Sequence, residues 1–248
     1  MRKLERSGWF ITIRHVVRWI AAFVPAVFVV LSLAVHLLNP DVDWVRYTLS
    51  DLALGHYGWI ESVSMFVFGL CLLGVAFGLR HAVRPYRCWW LKSATSLLAL
   101  TALCFSATAM FRTSNTDILT TGIVIHRVAV ITITLAFPAA CFLLLPALKC
   151  DPRWRDMAVY CAVAAIISVV LDIAAVSVSQ EVQQKLAGLW EKTSIANALI
   201  WCQVFALRVF VDGRGSSEAW GGKDPAAPGS QLTANTNSYR LPLPMSWT

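Results

Sequence analysis

Long stretches without a charged residue constrain this chain more than any other feature. They run between Arg18 and Asp41, Glu61 and Arg80, Lys92 and Arg112, and Arg127 and Lys149, with two weaker ones from Met157 to Ser179 and from Thr193 to Val211. A hydrocarbon core about 30 Å thick takes roughly 20 apolar residues of helix to cross. Only a helix or a closed barrel satisfies every backbone polar group there. Six membrane helices are therefore expected, at about 17–38, 59–79, 91–111, 119–148, 157–179 and 193–211. Composition agrees: 57% of residues are hydrophobic and 14% charged, against about 45–50% and 25% in a soluble domain. The expected fold is an all-α integral membrane protein, a six-helix transmembrane bundle. Whether its membrane is a bacterial plasma membrane or a eukaryotic endomembrane is left open.

The formal charge of +7 would point to nucleic acid in a soluble protein, where basic residues gather on one face. Here they are sorted by loop, and no nucleic-acid partner is expected. With the N-terminus cytoplasmic, sixteen of the 21 Lys and Arg fall on that side, in the segments around Arg2–Arg18, Arg80–Lys92, Lys149–Arg155 and Arg208–Arg240. The other side has Arg46, Arg112, Arg127, Lys185 and Lys192. Such a bias sets orientation and predicts both termini inside.

Residues 1–16 read as a basic cytoplasmic N-terminus, 17–211 as the membrane domain, and 212–248, rich in Gly, Pro, Ser, Asn and Thr, as a disordered cytoplasmic tail. The first apolar run, Trp19 to Leu38, is too long for a secretory signal and no small-x-small site follows it, so it reads as an uncleaved helix. All seven cysteines fall in helices or cytoplasmic loops, so no disulfide is expected. Pro25 and Pro138 sit inside helices and predict kinks. Trp9, Trp19, Trp89, Trp90 and Trp154 on one side, and Trp44, Trp59 and Trp190 on the other, read as interfacial belts.

Ionisable side chains within a span are costly, roughly 2.5–3.5 kcal/mol each on insertion scales. At a rise of 1.5 Å per residue, Asp172 lies about 23 Å along the fifth helix, in its outer third, and His126 and Arg127 lie roughly 10–12 Å below the outer boundary. Glu61, Arg112, Glu191 and Asn197 sit at outer helix ends, and His36 near the outer end of the first helix. The cytoplasmic halves are almost purely apolar. This pattern predicts a polar cavity open to the outer side, with Asp172, Glu61, Glu191 and His126 as candidate catalytic residues. Arg127, Arg112, Asn197, Trp201 and Asp51 are candidate substrate-binding residues. The plain alternative is a set of salt bridges tying helix ends together.

The stretch Ser50-Asp51-Leu52-Ala53-Leu54-Gly55-His56-Tyr57-Gly58-Trp59 resembles the signature of a multi-pass membrane family known as domain of unknown function nine-nine-eight. Phe111-Arg112-Thr113 with Asp117, Gly122 and His126, and Gly188-Leu189-Trp190-Glu191-Lys192 with Trp201, are similar to two further segments of that family. The likeness covers roughly Val17 to Val211. It implies a compact six-helix membrane domain with its polar signature on the outer face, and no activity. Ser114-Asn115 departs from the family, in which Pro and Gly are expected at that loop.

No GxxxxGK[ST] or GxGxxG occurs, which sets nucleotide use aside. Only His126 with His36 or His56 is placed to hold a metal or haem, so neither metal nor cofactor is expected. Metal-free acid and base work by carboxylates remains. Asp172 is the favoured acid, with Glu61 or Glu191, near Arg112, as base, acting by cyclisation or isomerisation on an isoprenoid or other lipidic substrate drawn from the bilayer. The chain shares a general likeness with membrane-bound terpene cyclases in size and in acidic residues near helix ends. A non-catalytic accessory or structural protein, and a proton-coupled transporter or sensor, stay open as alternatives, and so does the oligomeric state.

Overall fold

The structure, a computed structural model, describes residues 23–83, 88–112 and 120–221, with side chains through 209. Every regular element among these residues is helical. The elements are α1 (described over Phe23–Leu38), α2 (Leu49–Leu52), α3 (Gly58–Ala82), α4 (Trp89–Met110), α5 (Thr121–Cys150), α6 (Arg155–Ser177), α7 (Gln180–Lys185) and α8 (Ala187–Gly221). Four of them, α3 to α6, are long and apolar enough to cross a membrane. The bounds of these four follow the expected spans closely. They begin at polar signals: Thr120 caps α5 by accepting from Ile123 N–H, and Trp89 follows the basic stretch that ends α3.

Neighbours in sequence pack as neighbours in space from α3 through α6, and α8 closes the ring by packing against both α3 and α6. Consecutive spans run antiparallel. The starts of α3, α5 and α8 therefore gather with the ends of α1, α4 and α6 at one end of the bundle, here the acidic end. The α5–α6 turn marks the other, basic end.

Two aromatic groups fill the interior. On one side Phe28 of α1, Phe68 of α3 and Phe105 of α4 meet at centroid distances of 5.6 and 4.9 Å. On the other, Trp201 of α8 stacks on Phe205 at 4.3 Å and receives the ring of Phe137 from α5 edge-on at 5.5 Å. Between them small residues, including Ala76, Ala94, Ala102, Ala140 and Ala165, are fully enclosed and let helix backbones approach closely. The exterior carries the large apolar side chains instead: Leu135 is 67% exposed and Val176 75%. A water-soluble fold buries such residues, whereas this surface suits hydrocarbon.

Polar residues inside the helices are mostly satisfied locally. The hydroxyls of Thr95, Thr101, Ser106, Thr132 and Thr134 each donate to the carbonyl one turn earlier. All seven cysteines are free thiols, and Cys71 of α3 and Cys202 of α8 face each other at 3.7 Å.

Three features differ from the sequence expectation. A short helix, α7, and the first turns of α8 precede the expected sixth span. Helix α8 then continues to Gly221, past the change of composition at Asp212, because extending an existing helix adds one hydrogen bond per residue fixed whereas starting one is costly. Trp154 is fully enclosed rather than interfacial, stacked near Phe205 at 6.3 Å under the guanidinium of Arg208. The basic N-terminus 1–16, most of the tail and the loop containing Thr113 and Asp117 lie outside the described residues.

Candidate functional site

The acidic end is organised by one connection, residues 39–57, folded onto the start of α8. Within it Thr48 and Asp51 form a capping box around α2: Thr48 N–H and Oγ1–H donate to Asp51 Oδ2 at 3.0 and 2.7 Å, and Asp51 N–H donates back to Thr48 Oγ1 at 3.0 Å. Asp51 is thereby committed to the local turn. Glu191 of α8 supplies a second cap from a distance of 142 residues, accepting from Leu49 N–H at 2.9 Å with Oε2 and from Ser50 Oγ–H at 3.3 Å with Oε1.

The neighbouring Lys192 points the other way into the same loop. Its ammonium donates to the carbonyls of Trp44, at 2.8 Å, and of Tyr47, and lies 5.1 Å from the centre of the Trp44 ring. The first N–H groups of α8, which have no partner inside the helix, are taken by the same loop: Gly188 N–H donates to Arg46 O and Leu189 N–H to Val45 O, at 3.2 and 2.9 Å. A Cβ on Gly188 would overlap the Tyr47 carbonyl, so this contact requires glycine. The residues just before the Ser50–Trp59 stretch thus supply carbonyls to the start of α8, and Ser50 itself donates to Glu191.

At the same end lies Glu61, one turn into α3 and 0% exposed. Ser32 of α1 donates its hydroxyl to Oε1 at 3.2 Å. Oε2 has no hydrogen-bond partner among the described residues. Glu191 and Lys192 are near enough for their charges to act on it. His36, one turn along α1 from Ser32, places Nδ1 3.0 Å from the Ser32 carbonyl and its ring 4.0 Å from that of Trp44. A carbonyl can only accept, so Nδ1 carries the proton, and the buried Nε2 faces no partner among the described residues. A buried polar atom left unpaired costs about 1–3 kcal/mol, and among the described residues this end holds three of them, counting Trp190 Nε1 with Glu61 Oε2 and His36 Nε2.

The remaining predicted residues are placed elsewhere. His126 of α5 is buried, with Nδ1 2.7 Å from the Phe111 carbonyl that ends α4, so it ties two spans together. Asn197 of α8 donates to Ala164 O and Ser168 Oγ of α6, both at 2.9 Å. Asp172 stands one turn beyond Ser168, half-buried, with no hydrogen bond or ion pair among the described residues. Arg112 and Arg127 are exposed, and neither pairs with a carboxylate of the described residues. Trp201 is interior packing. The structure therefore brings Glu61, Glu191 and Asp51 together and leaves Asp172, His126, Arg127 and Arg112 outside that group.

Ser32, Lys192 and Trp44 complete the cluster; in the sequence Ser32 carried no signal, Trp44 read as interfacial and Lys192 only as part of a family segment. The signal for Lys192 was present: adjacent opposite charges at a helix start, of which only one can face the same partner. Among the described residues no three of His, Cys, Asp and Glu come together as a metal-binding group. No curated protein and no solved structure matches the chain, so its likeness to terpene cyclases gains no support. A family model described as a protein of unknown function, DUF998, matches residues 22–208. Both segments that form the α8 contact fall inside that match, and the chain belongs to this family.

Proposed function

We propose that this protein carries out metal-free acid–base chemistry on an isoprenoid or other lipidic substrate at its acidic end. The observation that supports this reading is Glu61, a fully enclosed carboxyl with one oxygen on a hydroxyl and the other unpartnered among the described residues, at the end of the bundle that also holds Glu191 and Lys192. Glu61 replaces Asp172 as the favoured acid because it has those neighbours and Asp172 has none. The α2 turn rests on Glu191, so lifting α2 frees both oxygens of Glu191 at the end of the bundle that holds Glu61. Glu61 then gives its proton to the substrate and Glu191 takes one from it, a balanced isomerisation that needs no oxidant. The apolar exterior favours a substrate arriving through the bilayer. The test is the lipid profile of cells that make the wild-type chain, Glu61→Gln or Glu191→Gln. A lipid that changes with the wild type and reverts in both variants at equal protein level is expected. Profiles that do not respond to the wild type sink the reading.

A structural or accessory role is the second reading, favoured by Glu191 and His126, whose bonds all fix one element on another. It predicts that both Glu variants lower the protein level and leave the lipid profile unaltered. As to topology, six spans with both termini cytoplasmic are proposed from the sorting of the basic residues, α1 and α8 being the first and last. Thiol labelling at introduced cysteines near Asp41 should report the outer side and near Arg153 the inner side. Outside labelling near Arg153 would overturn the orientation.

A further inference from the structure

Glu61 of α3 and His36 of α1 hold the same residue by its two polar groups. Ser32 donates its hydroxyl proton to Glu61 Oε1 at 3.2 Å, and its carbonyl accepts from His36 Nδ1 at 3.0 Å. Each of these two side chains keeps one buried atom without a hydrogen-bond partner among the described residues, Oε2 of Glu61 and Nε2 of His36. Buried polar atoms are as a rule paired, and each one left bare is destabilising. Two such atoms on side chains that share Ser32 point to a bound group that supplies what both lack.

The chemistry of the two atoms narrows that group. With its proton on Nδ1, the neutral imidazole can only accept at Nε2. Oε1 of Glu61 already accepts from Ser32, so the proton that the acid–base reading assigns to Glu61 belongs on Oε2, which then donates. The missing partner must donate once and accept once. A hydroxyl does both, whereas an ether or phosphate oxygen only accepts and an ammonium only donates. Charge argues the same way. An anionic head group would join Glu61, Glu191 and Asp51 at this end, where the Lys192 ammonium is already taken up by the Trp44 and Tyr47 carbonyls and the Trp44 ring.

We infer that this end of the molecule binds a lipid alcohol, whose hydroxyl donates to His36 Nε2 and accepts from Glu61 Oε2. This names the substrate class of the acid–base reading and rests on that reading for the proton on Glu61. His36 becomes the residue that tells an alcohol from its ether or phosphate ester. Its ring is held for that task by the Ser32 carbonyl on one edge and by the Trp44 ring at 4.0 Å.

The test measures retention of radiolabelled farnesol, an isoprenoid alcohol, by the full chain in nanodiscs, in excess of that by empty nanodiscs. Farnesyl methyl ether, farnesyl phosphate and farnesylamine serve as competitors. Farnesol should bind tighter than each of the three by about tenfold or more. His36→Phe, which keeps an aromatic ring against Trp44, should bring farnesol down to the level of the ether and leave the ether where it was. If that variant does not fold, the wild type still decides: the nitrogen resonance of His36 Nε2 should move on adding farnesol and stay in place with the ether. No retention of farnesol means that water alone serves these atoms and overturns the inference. Equal binding of alcohol and ether, or tighter binding of the phosphate or the amine, overturns it as well, while the acid–base reading stands as long as the lipid profile of cells depends on Glu61. Selective binding of farnesol together with a lipid profile indifferent to Glu61→Gln supports the alcohol site and ends the acid–base reading.

Discussion

The two ends of the bundle hold their buried carboxylates by different means. At the basic end Asp151, 3% exposed, is met by the guanidinium of Arg153 at 2.9 Å, and the same guanidinium donates to the Ala82 carbonyl at 2.9 Å. Arg208 adds a bond to the Arg153 carbonyl at 2.5 Å and a longer contact to Asp156 at 3.5 Å, over the Trp154 ring. At the acidic end Glu61 and Glu191 are held by hydroxyls and a backbone N–H. A carboxylate locked to a guanidinium strands a cation if it takes up a proton, whereas one held by hydroxyls exchanges its proton without that penalty. The first arrangement suits a permanent fastening of α3, α6 and α8. The second suits a site where protons move.

Variants that break this contrast differ in size. Trp154→Ala empties a fully enclosed indole at the basic end and should cost about 3–5 kcal/mol, read as a lower midpoint of thermal unfolding in detergent, with no lipid change beyond that due to lost protein. Lys192→Met removes the charged donor to two carbonyls of the acidic-end loop, an effect of about 1.5–3 kcal/mol. Its specific sign is faster amide exchange over residues 39–57, with α5 and α6 unaffected. Exchange that rises equally at both ends would mean the loop is not a separate unit. Glu61→Gln keeps an acceptor for Ser32, so stability should move by no more than about 1 kcal/mol while the lipid phenotype disappears. A large fall in stability would make Glu61 a fastening like Asp151 and remove the contrast. Asp156→Asn, on a half-exposed surface pair with Arg208, should change the midpoint by an amount corresponding to less than about 0.5 kcal/mol.

Much of the architecture was legible in the residues. The uncharged runs located α3 to α6, since a chain that must satisfy its backbone without water has few options, and charge marks where each run ends. The motif segments around Ser50–Trp59 and Gly188–Lys192 were visible as segments. Their meeting was not, because nothing in either stretch encodes a contact spanning 142 residues between Leu49 and Glu191. Trp154 shows the same limit: its place beside a basic turn made it look interfacial, and only the packing of α8 over it encloses the ring.

The sequence by itself determined the class of fold, the positions of its long apolar helices and the end of the bundle at which acidic and polar groups collect, because these follow from local composition and helical rise. Which carboxyl is enclosed and which is left free was decided by tertiary structure alone. In one dimension Asp172, deeper in its span, read as the favoured acid, and Glu61, at a helix end, as a base. In the fold Glu61 is fully enclosed and met by Ser32 of α1, while Asp172 has no hydrogen bond or ion pair among the described residues, and burial and pairing are properties of neighbours brought together in space.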